Sequence, residues 1–333
     1  MERRDFLKAA AVSGAVTVLD RFLPTAAMAE YQQAASSSNA PSLLKRAYGK
    51  GGIQLSIIGL AGLMLRHLEQ NAANRVVADS FERGVNYYDV APAYGDAEIK
   101  LGPALEPYRK KVFLACKTQK RTREGAEAEL KRSLERLKTD YFDLYQLHFL
   151  VDLKKDVEVA FSKGGAMEAL LEAKKEGRVR HLGFSAHTVE AALAAMERFE
   201  FDSIVFPFNF ASYLKANFGP QVMKKAQELG VTRVAMKACI RSKWASEEER
   251  KKDSKYGYLW YQPLSNPREA ELGLRFSLSQ PIMAALPPQD EGLYRQAVDI
   301  AMRFKPLTPQ EEGEVKAMAV KIENPLFPET RKA

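Results

Sequence analysis

The chain has 333 residues, 46% hydrophobic and 28% charged, an ordinary soluble balance with material for one large core. Its net charge of +8 is spread through helical stretches beside acids, as in Glu124 to Arg136, rather than gathered with aromatics on one stripe. That pattern argues against a nucleic-acid partner and for a solvated surface. Two cysteines in apolar runs, Cys116 and Cys239, and four histidines without HExxH spacing argue against a disulfide framework, an iron–sulfur cluster and a structural zinc, so no metal is expected.

The chain opens Glu2-Arg3-Arg4-Asp5-Phe6-Leu7-Lys8, continues through the weakly apolar Ala9 to Leu19, and reaches Ala27-Met28-Ala29. Paired arginines, an apolar segment too short for a stable anchor and an Ala-x-Ala site before Glu30 resemble a twin-arginine (Tat) signal peptide over residues 1–29. The resemblance implies passage through the Tat export machinery, a periplasmic or otherwise exported product, and no stable membrane anchor after cleavage. Residues 30–42, rich in Gln, Ala, Ser and Pro, read as a flexible linker.

From about Leu43, short apolar runs alternate with stretches of helical period. Eight runs stand out: Leu55–Gly59, Val85–Asp89, Val112–Lys117, Phe142–His148, Arg180–Ser185, Ser203–Asn209, Arg233–Ala238 and Ile282–Leu286. Helices are expected at 70–83, 123–137, 166–176, 189–198, 215–229 and 267–279, several closed by a glycine such as Gly84, Gly177 or Gly230. Eight βα units with right-handed crossovers predict an α/β fold, a (β/α)8 TIM barrel, with reacting groups at the C-terminal ends of its strands. An open doubly wound sheet is disfavoured, because Gly59-Leu60-Ala61-Gly62 lacks the GxGxxG turn.

A barrel would bring together the residues that end runs two to four: Asp89, Tyr94 just after it, Lys117 and His148. A tyrosine hydroxyl is a weak acid, which a lysine oriented by a carboxylate strengthens, while an imidazole orients a carbonyl oxygen. Such a set suits hydride transfer, in which negative charge grows on oxygen. The segment Gly84 to Gly95, with Asp89 and Tyr94, resembles the signature of the aldo/keto reductase family, and Val112–Lys117, Asp140–His148 and Arg178–Ser185 continue the resemblance. It implies Tyr94 as general acid, Lys117 as the partner that lowers its pKa, Asp89 as the partner of Lys117, His148 as the substrate-orienting group, and NADP(H) or NAD(H) as cofactor.

On the cofactor side the resemblance implies that Ser185 contacts the nicotinamide. Many members carry an asparagine next; here Ala186 and His187 follow, and His187 is the substitute donor. Where members often place a glutamine on strand six, Val205 stands, with Phe208 as the candidate stacking ring. After the last strand, Asp290 and Glu291 stand where a phosphate is expected, and Arg295 is the compensating cation. The loop from Ile240 to Pro263, with five aromatics, is expected to overhang the barrel mouth.

The sequence thus predicts a barrel over residues 43–323, a tail over 324–333, and a nicotinamide-dependent oxidoreductase acting on a small carbonyl or alcohol. Two rivals stay open: an exported barrel that binds or senses without catalysis, and a sugar or polyol dehydrogenase with tightly held cofactor.

Overall fold

A computed structural model describes residues 43–327. The signal and linker segments, and the tail beyond residue 327, lie outside the described residues. Eight parallel strands form the sheet: β3 (Leu60–Ala61), β4 (Tyr87–Asp89), β5 (Phe113–Thr118), β6 (Phe142–Leu150), β7 (Val179–Ala186), β8 (Ser203–Pro207), β9 (Thr232–Met236) and β12 (Ala284–Leu286). Their spatial order is their sequence order, and a parallel bridge between Ile58 and Ala285 joins the first to the last. At this seam the Gly59 amide donates to the Ala285 carbonyl and the Ala285 amide to that of Ile57, at 3.0 and 2.9 Å. A Cβ on Gly59 would stand 2.5 Å from the Tyr87 ring, so the seam requires glycine there.

The sheet is therefore the (β/α)8 barrel expected, but its first strand is displaced from the run assigned to it. Residues Ile53–Ser56 (β2) pair antiparallel with Lys45–Tyr48 (β1) in a hairpin, and only Ile58 to Ala61 joins the barrel. The reason is local: Gly49 and Gly52 supply the positive φ angles of a tight turn, which folds the front of the run back on itself. The helix expected over 215–229 is shorter, Pro220–Glu228, and a separate helix, Phe210–Leu214, precedes it. Asn217 and Gly219 adopt positive φ between them, and Pro220 starts the second helix.

The hairpin plugs the N-terminal end of the barrel. Tyr48 and Leu55 join Tyr87, Phe113, Leu144, Val205, Val234 and Leu286 in the interior cluster, and the Tyr48 hydroxyl donates to Ser203 Oγ at 3.0 Å. Arg46 donates to the carbonyls of Ile282 and Leu278 at 2.7 and 2.6 Å. Among the described residues the hairpin covers that end, which leaves the C-terminal ends of the strands as the mouth where (β/α)8 barrels carry their sites. Tyr48→Ala, which empties a wholly buried site, is expected to lower unfolding free energy by about 3–5 kcal/mol, and Tyr48→Phe by about 1 kcal/mol. Urea denaturation followed by far-UV circular dichroism measures both, and equal losses would show that the hydroxyl rather than the ring holds the plug.

Candidate active site at the C-terminal mouth of the barrel

Asp89 is the last residue of β4, Lys117 lies near the end of β5, and His148 near the end of β6. Registers Asp89↔Ala115 and Lys117↔Gln146 bring these strand ends to one level. Tyr94 follows from the turn after β4. Lys117 is 2% exposed and its Nζ donates to Asp89 Oδ1, to the Val90 carbonyl and, at 3.2 Å, to the Tyr94 hydroxyl. The other carboxylate oxygen of Asp89 accepts from Gln146 Nε2 at 3.1 Å and from the Tyr87 hydroxyl at 3.3 Å. Gln146 and Tyr87, which the sequence reading did not single out, therefore fix the carboxylate that fixes the lysine.

The electrostatics follow from this packing. Burial disfavours the Lys117 ammonium, but Asp89 and Tyr94 outweigh it and hold its pKa above the usual lysine value. Burial also pushes the Tyr94 hydroxyl above its ordinary value, and the Lys117 charge offsets only part of that rise. Lys117 thus makes Tyr94 a better acid than a buried tyrosine standing alone, while the net displacement remains upward. The His148 ring stands edge-on to the Tyr94 ring with centroids 5.5 Å apart. Burial, then the charge of Lys117, holds His148 well below the normal histidine range, so it is a neutral imidazole.

His148 sits on an irregularity of β6. Pairing with β7 shifts between Leu147 and Leu150, and Phe149 adopts φ 64°, unusual for a bulky side chain. Ser185 Oγ accepts from the Phe149 amide at 2.9 Å, and Arg121, paired with Asp156, donates to the His148 carbonyl at 2.8 Å. The bulge turns the Phe149 ring to the rim, 45% exposed and 4.4 Å from the His187 ring. Ser185, expected beside the nicotinamide, thus also holds the bulge that aims His148.

The remaining cofactor candidates divide. His187 lies at the mouth, drawn down to about 3 by burial and then by Lys237, with its Nδ1 buried and unpartnered. His148 Nδ1 and Asn209 Nδ2 are likewise buried without a hydrogen-bond partner. Such atoms are uncommon in finished cores and suit a bound group that carries both donors and acceptors, as a nicotinamide carboxamide does. Phe208 instead is 1% exposed and packs on Tyr213 and Phe276 of the outer helices. Arg295, in helix Glu291–Met302, is paired with Asp79 at 2.8 Å and Glu291 at 3.1 Å. Both side chains are engaged in packing and pairing that their sequence positions do not reveal.

The aromatic loop is ordered by the hairpin of β10 (Ile240–Ser242) with β11 (Gln262–Pro263) and by a cluster of Tyr256, Leu259, Tyr261, Leu293 and Leu326. Its Trp244 Nε1 donates to the Leu259 carbonyl at 2.9 Å. Tyr258 donates to Asp290 at 2.6 Å, and Asp290 also caps the last βα helix by accepting from the Leu293 amide at 2.8 Å.

A closed parallel barrel with these groups at the C-terminal ends of its strands has the form of a (β/α)8 enzyme. Comparison with known proteins narrows this: residues 57–258 match the model of the "Aldo/keto reductase family", and the chain belongs to that family and is an oxidoreductase. Residues 1–19 match the TAT (twin-arginine translocation) pathway signal sequence. Among relatives, the "Uncharacterized oxidoreductase YqkF" of Bacillus subtilis is 28% identical over 269 residues, 73% of this chain and 85% of that protein. The "Aldo-keto reductase YhdN" of the same species is 32% identical over 161 residues, 42% of this chain and 46% of that protein. The holo form of an aldo-keto reductase from Bacillus halodurans shares the fold, with TM-score 0.67 and 23% identity over 87% of this chain and all of that one.

The buried pair yields a stability test. Asp89→Ala leaves an uncompensated ammonium and is expected to cost about 3–5 kcal/mol, whereas an Asp89→Leu/Lys117→Met double variant recovers most of that loss. Urea denaturation compares them; a double variant no more stable than Asp89→Ala would mean that the charge is not the source of the cost.

Proposed function

We propose that this exported chain reduces the carbonyl group of a small aldehyde or ketone, or runs the reverse oxidation of an alcohol, with Tyr94 as the proton-transferring residue. One observation carries the reading: a buried, Asp89-bound ammonium donates to the Tyr94 hydroxyl from inside the barrel. Because the phenolic oxygen accepts from Lys117, its own proton is left to be directed toward the mouth. On loss of that proton, the phenolate faces a cation already in place, so little reorganisation is needed. His148, neutral and edge-on to Tyr94, offers a ring nitrogen to the substrate oxygen and shares the charge that develops there. A bound dinucleotide would supply the hydride in its reduced form, NADPH or NADH, and take it up in its oxidised form, NADP+ or NAD+, when the alcohol is oxidised. Ser185, His187 and Asn209 are the residues that would hold its nicotinamide end.

The deciding experiment is a fluorescence titration with NADPH and NADH followed by turnover of a carbonyl panel. Tyr94→Phe is expected to lower kcat roughly 10²–10⁴-fold while leaving the dinucleotide dissociation constant within about twofold. A Tyr94→Phe enzyme with wild-type kcat would overturn the assignment of the acid. The pH profile follows from the same groups. An acid must hold its proton to donate it, and Tyr94 is displaced upward from 10.0. His148 does not charge near neutrality. Reduction at saturating cofactor is therefore expected to be flat through neutral pH and to fall only in strongly alkaline solution; a step near pH 6–7 would mean that His148 titrates.

The signal match supports export of the finished barrel to the periplasm, with cleavage after Ala29. Replacing Arg3 and Arg4 by lysine is expected to retain the chain in the cytoplasm, as fractionation and immunoblotting would show. Undiminished export of that variant would point to another route.

A further inference from the structure

Several cations around the mouth already have anionic partners. Lys117 is bound to Asp89, Arg121 to Asp156, and Arg295 to Asp79 and Glu291. Lys237 differs. It directly follows Met236, the last residue of the seventh barrel strand, and adopts φ 65°, a left-handed conformation uncommon outside glycine. Its ammonium lies 4.6 Å from the centre of the Trp260 ring and 5.6 Å from that of Tyr261. Among the described residues no carboxylate lies within ion-pairing distance of it. Aromatic faces recover only part of what a half-buried ammonium loses on leaving water.

The surroundings add direction. Lys237 is close enough to His187 to help keep that imidazole neutral, so its charge is felt among the unpartnered nitrogens of the mouth. Burial draws the amine down to about 8, which leaves it largely cationic at neutrality. In (β/α)8 barrels the loops after strands seven and eight commonly receive phosphate groups. Here the start of the helix after strand eight already holds a carboxylate, because Asp290 occupies its cap and is clasped by Tyr258. The loop after strand seven starts with Lys237.

We propose that Lys237 is the anion-receiving residue of the mouth, taking a phosphate or carboxylate oxygen of the bound ligand, with Trp260 steadying the ammonium. The proposal rests on the reading of the mouth as a dinucleotide and carbonyl site. The oxyanion has two possible sources, the dinucleotide diphosphate or a carboxylate on the carbonyl substrate. Both present oxygens that share a delocalised negative charge, which an ammonium recognises as a point charge, and separate measurements distinguish them.

The test compares the wild-type protein with Lys237→Met and Lys237→Arg. NADH affinity is read by fluorescence, and KM is measured for benzaldehyde and 4-carboxybenzaldehyde. Inorganic diphosphate and benzoate are titrated separately, with quenching of tryptophan fluorescence as the readout. Lys237→Met is expected to weaken NADH and diphosphate, or 4-carboxybenzaldehyde and benzoate, by at least about tenfold, with benzaldehyde KM within about twofold. Lys237→Arg restores the charge and should recover most of the loss, which a packing role would not explain. Loss confined to NADH and diphosphate assigns the diphosphate; loss confined to the carboxylated probes assigns the substrate. If the wild-type protein binds no dinucleotide, the cofactor reading fails, while the two inorganic and carboxylate titrations still decide Lys237. Wild-type and Lys237→Met proteins that behave alike toward every probe would overturn the proposal.

Discussion

The site depends on an ammonium ion held where water is almost absent. Lys117 is tolerable inside the barrel because Asp89 faces it, and Asp89 is tolerable because Gln146 and Tyr87 satisfy its second oxygen. Removal of any one partner would leave a polar group unpaired in the interior, which costs more than the pair contributes. The geometry that serves chemistry is therefore also the geometry that the barrel needs to fold. Three neighbouring strands must close in the right register before any of these groups can find its partner.

Much of this was legible beforehand. Hydrophobic runs and glycine-closed helices marked the βα repeat, and Asp89, Tyr94, Lys117 and His148 could be read as a set because a barrel aligns its strand ends. What escaped reading was contact between residues far apart in the chain. Arg295 reads as a free cation until Asp79, 216 residues away, is seen beside it. Phe208 reads as a stacking ring until the outer helices supply Tyr213 and Phe276. The hairpin was missed for a different reason. Its apolar residues satisfy a barrel strand and a plug equally well, and only the glycines at 49 and 52 tell the two apart.

Lys237 shows the same limit from the other side. A lysine after a strand is usually solvated, and nothing in its immediate neighbours marks it out. Its significance arises from the loop that returns later in the chain to place Trp260 and Tyr261 against it. Phe149 is similar: the strain in its backbone is visible only in φ, and it coincides with a bulge locked by Ser185 and Arg121. Irregular backbone at both strand ends marks where the fold departs from ideal barrel geometry, and such departures concentrate where ligands are handled.

The seam between Ile57–Gly59 and Ala285, with Arg46 reaching back to Ile282 and Leu278, ties the beginning of the barrel to its end. The last strand to leave the ribosome is thus the one that the first strand awaits. Until it arrives, the growing chain presents two raw sheet edges and an uncovered interior, and the costly long-range closure comes last. A chain truncated before residue 282 has no route to a sealed cylinder. The topology itself therefore distinguishes finished molecules from incomplete ones.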